Sequence, residues 1–313
     1  PLGLFYAFAA TACWAIAAFP LTAASRQLPV NSMNHLRLLL ATIVLFMTGA
    51  IIEGSGFWQI FSSPYSKAWL WLGFSGILAL VVGDFFSFRS YAILSPQYGS
   101  VLTTLSPASA LFFGIILIDE HINWVGITGM CITIFGVMSI SLGRTQRSKI
   151  PDHGYGSVLR GIVFGILAAA CHGGALAFSK KGFIKQPAEY SIGPMGATFI
   201  RVVTATLLIY LISILTGKIK TVLLHIKDSR AGIRNTVSGS FFNPILSVSL
   251  SMYAILFMDV AVAQTIFALV PLFALFIAFF VYKEKITTRS VLGVVAALAG
   301  VALLIWRNRI IQL

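Results

Sequence analysis

Asp84 stands between Val81-Val82-Gly83 and Phe85-Phe86, with no other charge from Lys67 to Arg89. A carboxylate in so apolar a run costs a few kcal/mol unless it is paired or hydrated. Two roles fit it: a structural ion pair with Arg89, Arg37 or Arg201, or a carboxylate that binds a proton or a substrate. His172, between Cys171 and Gly173-Gly174, is the second titratable group of this kind. An imidazole deep in a bundle titrates near neutral pH or binds a ligand, or it hydrogen-bonds within a helix contact. Asn243-Pro244 interrupts another apolar run, and an interrupted helix at membrane depth is tolerated where it lines a cavity. Arg37 and Arg201 stand near the starts of their runs, where a long cationic side chain anchors a helix by reaching for the surface. The chain has no HExxH, no CxxC and no Walker A motif. Its three cysteines (Cys13, Cys131, Cys171) lie inside apolar runs, and His121, His153 and His225 are scattered. No catalytic residue, metal site or cofactor is therefore expected.

The elements that must position these groups are long apolar helices. Hydrophobic residues make up 58% of the 313 and charged residues 10%, against about a quarter charged in an ordinary soluble domain. Mean hydropathy is +0.91. Ten segments reach the roughly 20 residues needed to cross a bilayer: Gly3 to Ala24, Met33 to Ile52, Ala68 to Ser90, Pro96 to Ile118, Ile122 to Leu142, Ser157 to Ser179, Pro194 to Thr216, Ile233 to Leu256, Asp259 to Val281 and Thr288 to Trp306. The expected class is an all-α polytopic membrane protein. The net charge of +13 lies mostly between these runs, so lipid headgroups and topology explain it and a nucleic-acid partner is excluded.

Halfway along, the sequence begins again. Tyr91-Ala-Ile-Leu, Pro107, Glu120, Gly129 and Gly136 recur as Tyr253-Ala-Ile-Leu, Pro271, Glu284, Gly293 and Gly300, with the offset at 164 from Pro107 onward. The expected organisation is a five-helix unit over 1–142, a linker over 143–156 and a second five-helix unit over 157–313. Five is odd, so the second unit enters the membrane from the opposite side, and such inverted repeats support alternating access. Pro107 and Pro271, read as mid-helix, bend the fourth and ninth spans. Glu120 and Glu284, in very short connections, each suit a cap on the helix that follows. The glycine pairs, seven residues apart, form stripes for close helix contact within one chain or across a homodimer. Some positions break the symmetry: Leu246 stands opposite Asp84, Trp14 opposite His172, Ser100 opposite Gln264 and Thr104 opposite Ala268.

The doubled pattern of Arg89-Ser-Tyr-Ala-Ile-Leu, Pro107, Asp119-Glu120-x-Ile, Gly129 and Gly136 resembles the ten-helix, EamA-type members of the drug/metabolite transporter superfamily over essentially the whole chain. The resemblance implies that helices one, three, four, six, eight and nine surround a central cavity. Asp84, Ser100, Thr104, His172, Asn243 and Gln264 are then the candidate substrate contacts, with Trp14 and Tyr253 as aromatic walls. It also implies a secondary transporter of a small metabolite in the cytoplasmic membrane, acting as monomer or homodimer. A polytopic enzyme on a lipid-linked substrate and a passive channel or scramblase are the alternatives. The resemblance implies cytoplasmic termini, whereas the basic residues of the loops point the other way.

Overall fold

Helices dominate because an apolar solvent leaves the backbone no partner but itself. In the computed structural model, residues 2–62, 65–94, 101–143, 157–184, 192–283 and 287–310 are described, and among them every regular element is helical. Among the described residues ten helices are long and apolar enough to span a membrane: α1 Leu2–Ser25, α2 Val30–Ile52, α3 Ser66–Tyr91, α4 Val101–Ile118, α5 Trp124–Ser141, α6 Val158–Phe183, α7 Pro194–Leu215, α8 Arg230–Phe257, α9 Val260–Ile277 and α10 Thr288–Arg307. The expected ten spans match these within a few residues. The chain packs as two compact units, Pro1–Val81 with Phe178–Phe257, and Val82–Ala177 with Met258–Leu313. Each unit draws on both halves of the sequence, and the partition cuts α3 and α6.

In the first unit α2 packs on α7. His35 Nε2 lies 2.7 Å from Ser213 Oγ, the Thr42 and Thr206 hydroxyls meet at 2.8 Å, and Glu53 accepts from the Met195 N–H at 2.8 Å. Each step up α2 is a step down α7, so the two helices are antiparallel. Thr42 and Thr206 are 164 residues apart, so equivalent positions meet at the crossing. Glu53 also accepts from the Gly196 N–H at 3.0 Å, closing the start of α7. Burial pushes the Glu53 carboxyl up while these two N–H groups hold it down.

The second unit repeats the device with α5 and α10. A Cβ on Gly136 would sit 2.6 Å from Gly293 O, and one on Gly293 would sit 2.7 Å from Gly136 O. Gly129 and Gly300 are related in the same way, at 2.7 and 2.6 Å. Thr133 Oγ donates to Ala297 O at 3.5 Å, again across 164 residues. Both glycine stripes are thus consumed inside one chain. Without a hydrophobic force between helices in lipid, this close backbone approach supplies the packing energy.

Both prolines require a correction. Pro107 does not sit mid-helix: α4 breaks at Thr104-Leu105 and a new helical segment opens at Ser106, with Pro107 in its first turn. α9 breaks likewise at Ala268-Leu269, and Pro271 is the second residue of the segment Val270–Tyr282. The missing N–H costs nothing in a first turn, which is where the ring is tolerated. Tight turns bridge both breaks, with Leu105 N donating to Leu102 O at 3.1 Å and Leu269 N to Ile266 O at 3.0 Å.

A related irregularity marks the third helix of each half. α3 widens into a π-helical turn over Leu78–Gly83, and α8 does so over Phe241–Leu246, with Asn243 out of helical geometry. The interruption expected at Asn243-Pro244 is present.

Gly136→Ala should lower thermal stability in detergent by about 2 kcal/mol or more, since its methyl would meet backbone atoms of α10 that cannot move aside. Gly56→Ala, where nothing lies within 4 Å, is the control and should leave stability within about 0.5 kcal/mol. Equal melting temperatures for both variants would show that the α5–α10 approach is looser than described.

Candidate functional site

Asp84 is the first residue of α3 after its widened turn, and Ser87 follows three residues later on the same helical face. Opposite them stands His172 of α6. Its Nε2 is 3.3 Å from Ser87 Oγ and 4.0 Å from Asp84 Oδ1. Ser87 and Thr103 also hydrogen-bond the Tyr91 side chain. The pair is not sealed: the Asp84 side chain is 17% exposed and that of His172 29%. A carboxylate and an imidazole at this spacing, too far apart for a direct hydrogen bond, present an acceptor and a donor to a small polar molecule.

His172 owes its position to the glycines that follow it. A Cβ on Gly173 would sit 2.6 Å from the Ala110 N, so α6 presses directly on the second segment of α4. Ser109 Oγ donates to Ala170 O at 3.0 Å across the same contact. Phe86 stacks on Phe164 at 5.7 Å and walls the α3–α6 side.

A hydrogen bond from Gln264 Nε2 to Ser106 Oγ, at 3.0 Å, joins the breaks in α4 and α9. Gln264 lies in the last turn before the break of α9, and Ser106 opens the second segment of α4. Thr104 is buried, and its hydroxyl donates at 2.6 Å to its own backbone at Val101 O. Asp84, His172, Gln264 and Thr104 therefore fall in one compact unit, with Ser87 and Ser106 as linking residues that sequence reasoning passed over. The signals were present: Ser87 is one turn past the only charge in its run, and Ser106 precedes the repeated proline. Ser100 and Glu284 lie outside the described residues.

Asn243, Trp14 and Tyr253 belong to the other unit. There Tyr253 stacks on Tyr6 at 5.0 Å, so its ring packs α8 against α1. The two arginines do not reach for the surface as expected. Arg37 and Arg201 are buried two turns inside their helices, and Arg201 donates to Met252 Sδ at 3.3 Å. Close packing of α2 and α7 leaves neither head a route to water. Glu120 also departs from expectation. It caps a helix, but its two carboxylate oxygens accept from the Val260 N–H of α9, at 3.0 and 2.9 Å, rather than from the helix that follows. Asp119, in left-handed geometry at φ 55°, turns the chain so that Glu120 points there. Arg307 pairs with Asp259 at the same end. Among the described residues no three of His, Cys, Asp and Glu come together.

Gln264→Ala and Ser106→Ala should each cost about 1 kcal/mol of stability, and the double variant little more than either single one. Fully additive losses in a double-mutant cycle of thermal unfolding would mean that the two side chains do not meet.

Comparison with known proteins agrees with this architecture. A model of the EamA-like transporter family matches residues 1–142 and again 159–306. A protein of Archaeoglobus fulgidus, described as an uncharacterized transporter, is 30% identical over 145 residues, which is 46% of this chain. The chain's match covers 48% of that relative, about half its length. One solved crystal structure superposes over 99% of both chains with a TM-score of 0.67 at 16% identity, a likeness of fold. Two family matches in tandem, laid over ten apolar helices, leave one assignment: the chain belongs to the EamA-like transporter family and is a multi-pass membrane protein.

Proposed function

We propose that this chain is a secondary transporter, an exporter or exchanger, that carries a small metabolite across the cytoplasmic membrane by alternating access. The Asp84–His172 pair is the titratable part of its site. The observation that carries this reading is the approach of the two groups to 4.0 Å within membrane-spanning helices, with both side chains partly open. A structural ion pair would be expected to be closed off, because water weakens it. An open pair instead exchanges protons or yields to a ligand.

Alternating access is supported by the pairing of equivalent helices. α2 with α7, and α5 with α10, run antiparallel and meet at matched residues, as two inverted five-helix repeats require. The breaks in α4 and α9 and the widened turns in α3 and α8 supply places where a helix changes direction without losing its whole ladder. In the proposed cycle Asp84 and His172 face each other in one state, as they do at 4.0 Å. Substrate replaces that contact in the other, and Gln264 with Ser106 positions the broken segments beside it.

The test is transport by the full chain in proteoliposomes, after a thermal-shift screen of amino acids, nucleobases and amphipathic cations has identified a ligand. Wild type should show uptake that depends on pH and counterflow of labelled ligand, which needs an alternating site. Asp84→Asn should fold normally and lose at least about tenfold of its response to a pH gradient, a loss that equals about 1.4 kcal/mol of coupling. An unchanged pH profile in Asp84→Asn would make the carboxylate structural. Uptake without counterflow would point to a channel.

A further inference from the structure

Between α7 and α8 the chain forms a separate helix, Ile219–Asp228, that is too short to cross the membrane. At 1.5 Å per residue it is about 15 Å long. Gly217, at φ 68°, turns the chain out of α7, and Ser229 starts α8 by accepting from the Gly232 N–H at 3.1 Å. His225 Nδ1 lies 3.4 Å from Ser32 Oγ and ties the helix to the first turn of α2. One side is thereby docked, with Val222 buried.

The free side has an unusual composition. Lys220, Leu223 and Lys227 stand at i, i+3 and i+7 and share a stripe, with Leu224 beside them. Leu223 is 52% exposed and Leu224 59%, and both lysines are exposed as well. At the end of α7, a few residues before this helix, Ile214 and Leu215 are exposed as well. A helix that faced only water would leave these leucines hydrated at a cost. A helix at the hydrocarbon boundary buries them in lipid, with its lysines raised into the headgroups. Charge sharpens the choice of partner. Exposed Lys218, Arg230 and Arg234 flank the stripe, and Asp228 is the one acid in this stretch from Lys218 to Arg234. Arg26 joins the same end of the unit, because its neighbour Gln27 accepts from Asn235 Nδ2 at 3.0 Å. At the other end of this unit, where Lys67 and Lys180 also lie, Lys181 sits 4.5 Å over the Trp71 ring beside a cluster of Phe57, Trp58, Phe61 and Phe199.

We infer that the helix Ile219–Asp228 is an interfacial anchor that binds anionic phospholipid headgroups. Lys220 and Lys227 contact the phosphates, and Leu223 and Leu224 enter the acyl boundary. Lipid held there steadies the connection that docks on α2 through His225 and Ser32, so headgroup charge controls the stability of this unit. The partner is a membrane lipid rather than a dissolved anion, because the exposed leucines have no use in binding a free phosphate.

The experiment uses the full chain in nanodiscs of phosphatidylcholine with a rising fraction of phosphatidylglycerol, followed by thermal unfolding and by native mass spectrometry of retained lipid. Wild type should melt several degrees higher in the anionic discs and retain phosphatidylglycerol preferentially. Lys220→Gln with Lys227→Gln should leave melting in pure phosphatidylcholine unchanged while weakening phosphatidylglycerol retention about fivefold for each lysine removed. Lys67→Gln, outside the stripe, should retain lipid as wild type does. An undiminished preference in the double variant would overturn the assignment. So would equal stabilisation of the wild type in phosphatidylcholine by inorganic phosphate at matched charge.

Discussion

Thr42 and Thr206 meet hydroxyl to hydroxyl at 2.8 Å, although 164 residues separate them. A helix that packs on its own counterpart so that equivalent residues meet must run antiparallel to it. The α5–α10 pair obeys the same rule through Gly129, Gly136, Gly293 and Gly300. Every other feature of the two units is fitted around these two seams. Lipid supplies no hydrophobic force to hold helices together, so backbone contact over glycine and short hydrogen bonds from threonine must do so. Substituting one glycine in such a seam disturbs two helices, because its contact is reciprocal.

Rigid seams leave irregularity to the remaining helices. α3 and α8 widen at corresponding places, and α4 and α9 break at corresponding places. A freed backbone group is costly in hydrocarbon unless something nearby satisfies it. Around the α4 and α9 breaks that need is met by tight turns and by the Thr104 hydroxyl, while the Gln264–Ser106 side-chain bond ties the two breaks together. Asp84 follows directly on the widened turn of α3. The polar chemistry of this unit thus gathers where regular helix stops, and the same gaps in the ladder let a helix bend and let a carboxylate meet an imidazole.

Charges at the helix ends serve a different purpose. Glu53, just past the end of α2, closes the start of α7, and Glu120, just past the end of α4, closes the start of α9. Each joins a helix of the first repeat to one of the second, satisfying N–H groups that a helix start otherwise leaves open. Arg307 and Asp259 add an ion pair beside the second of these caps. Basic residues dominate the connection between α7 and α8, where a headgroup layer is the natural counter-charge.

The amino-acid sequence by itself determined the class, the ten spans, the duplicated halves and the family. Runs of apolar residues and a repeat at constant offset are properties of one dimension, and the lipid solvent converts them into helices with little freedom. It also singled out Asp84 and His172, because a charge in an apolar run is conspicuous wherever the chain then goes. Their mutual approach was a different matter. Residues 84 and 172 meet where α3 and α6 come together, with Gly173 letting α6 press on α4 beside them, and no spacing rule reports which faces of two helices will touch. For the same reason sequence reasoning assigned Glu120 to the following helix when it caps α9, and placed the heads of Arg37 and Arg201 at the surface when packing buries them. The prolines were correctly paired but wrongly set at mid-helix, since only the three-dimensional path shows that each begins a new segment. Local preference is written along the chain; which distant groups become partners is decided by how closely the helices can pack.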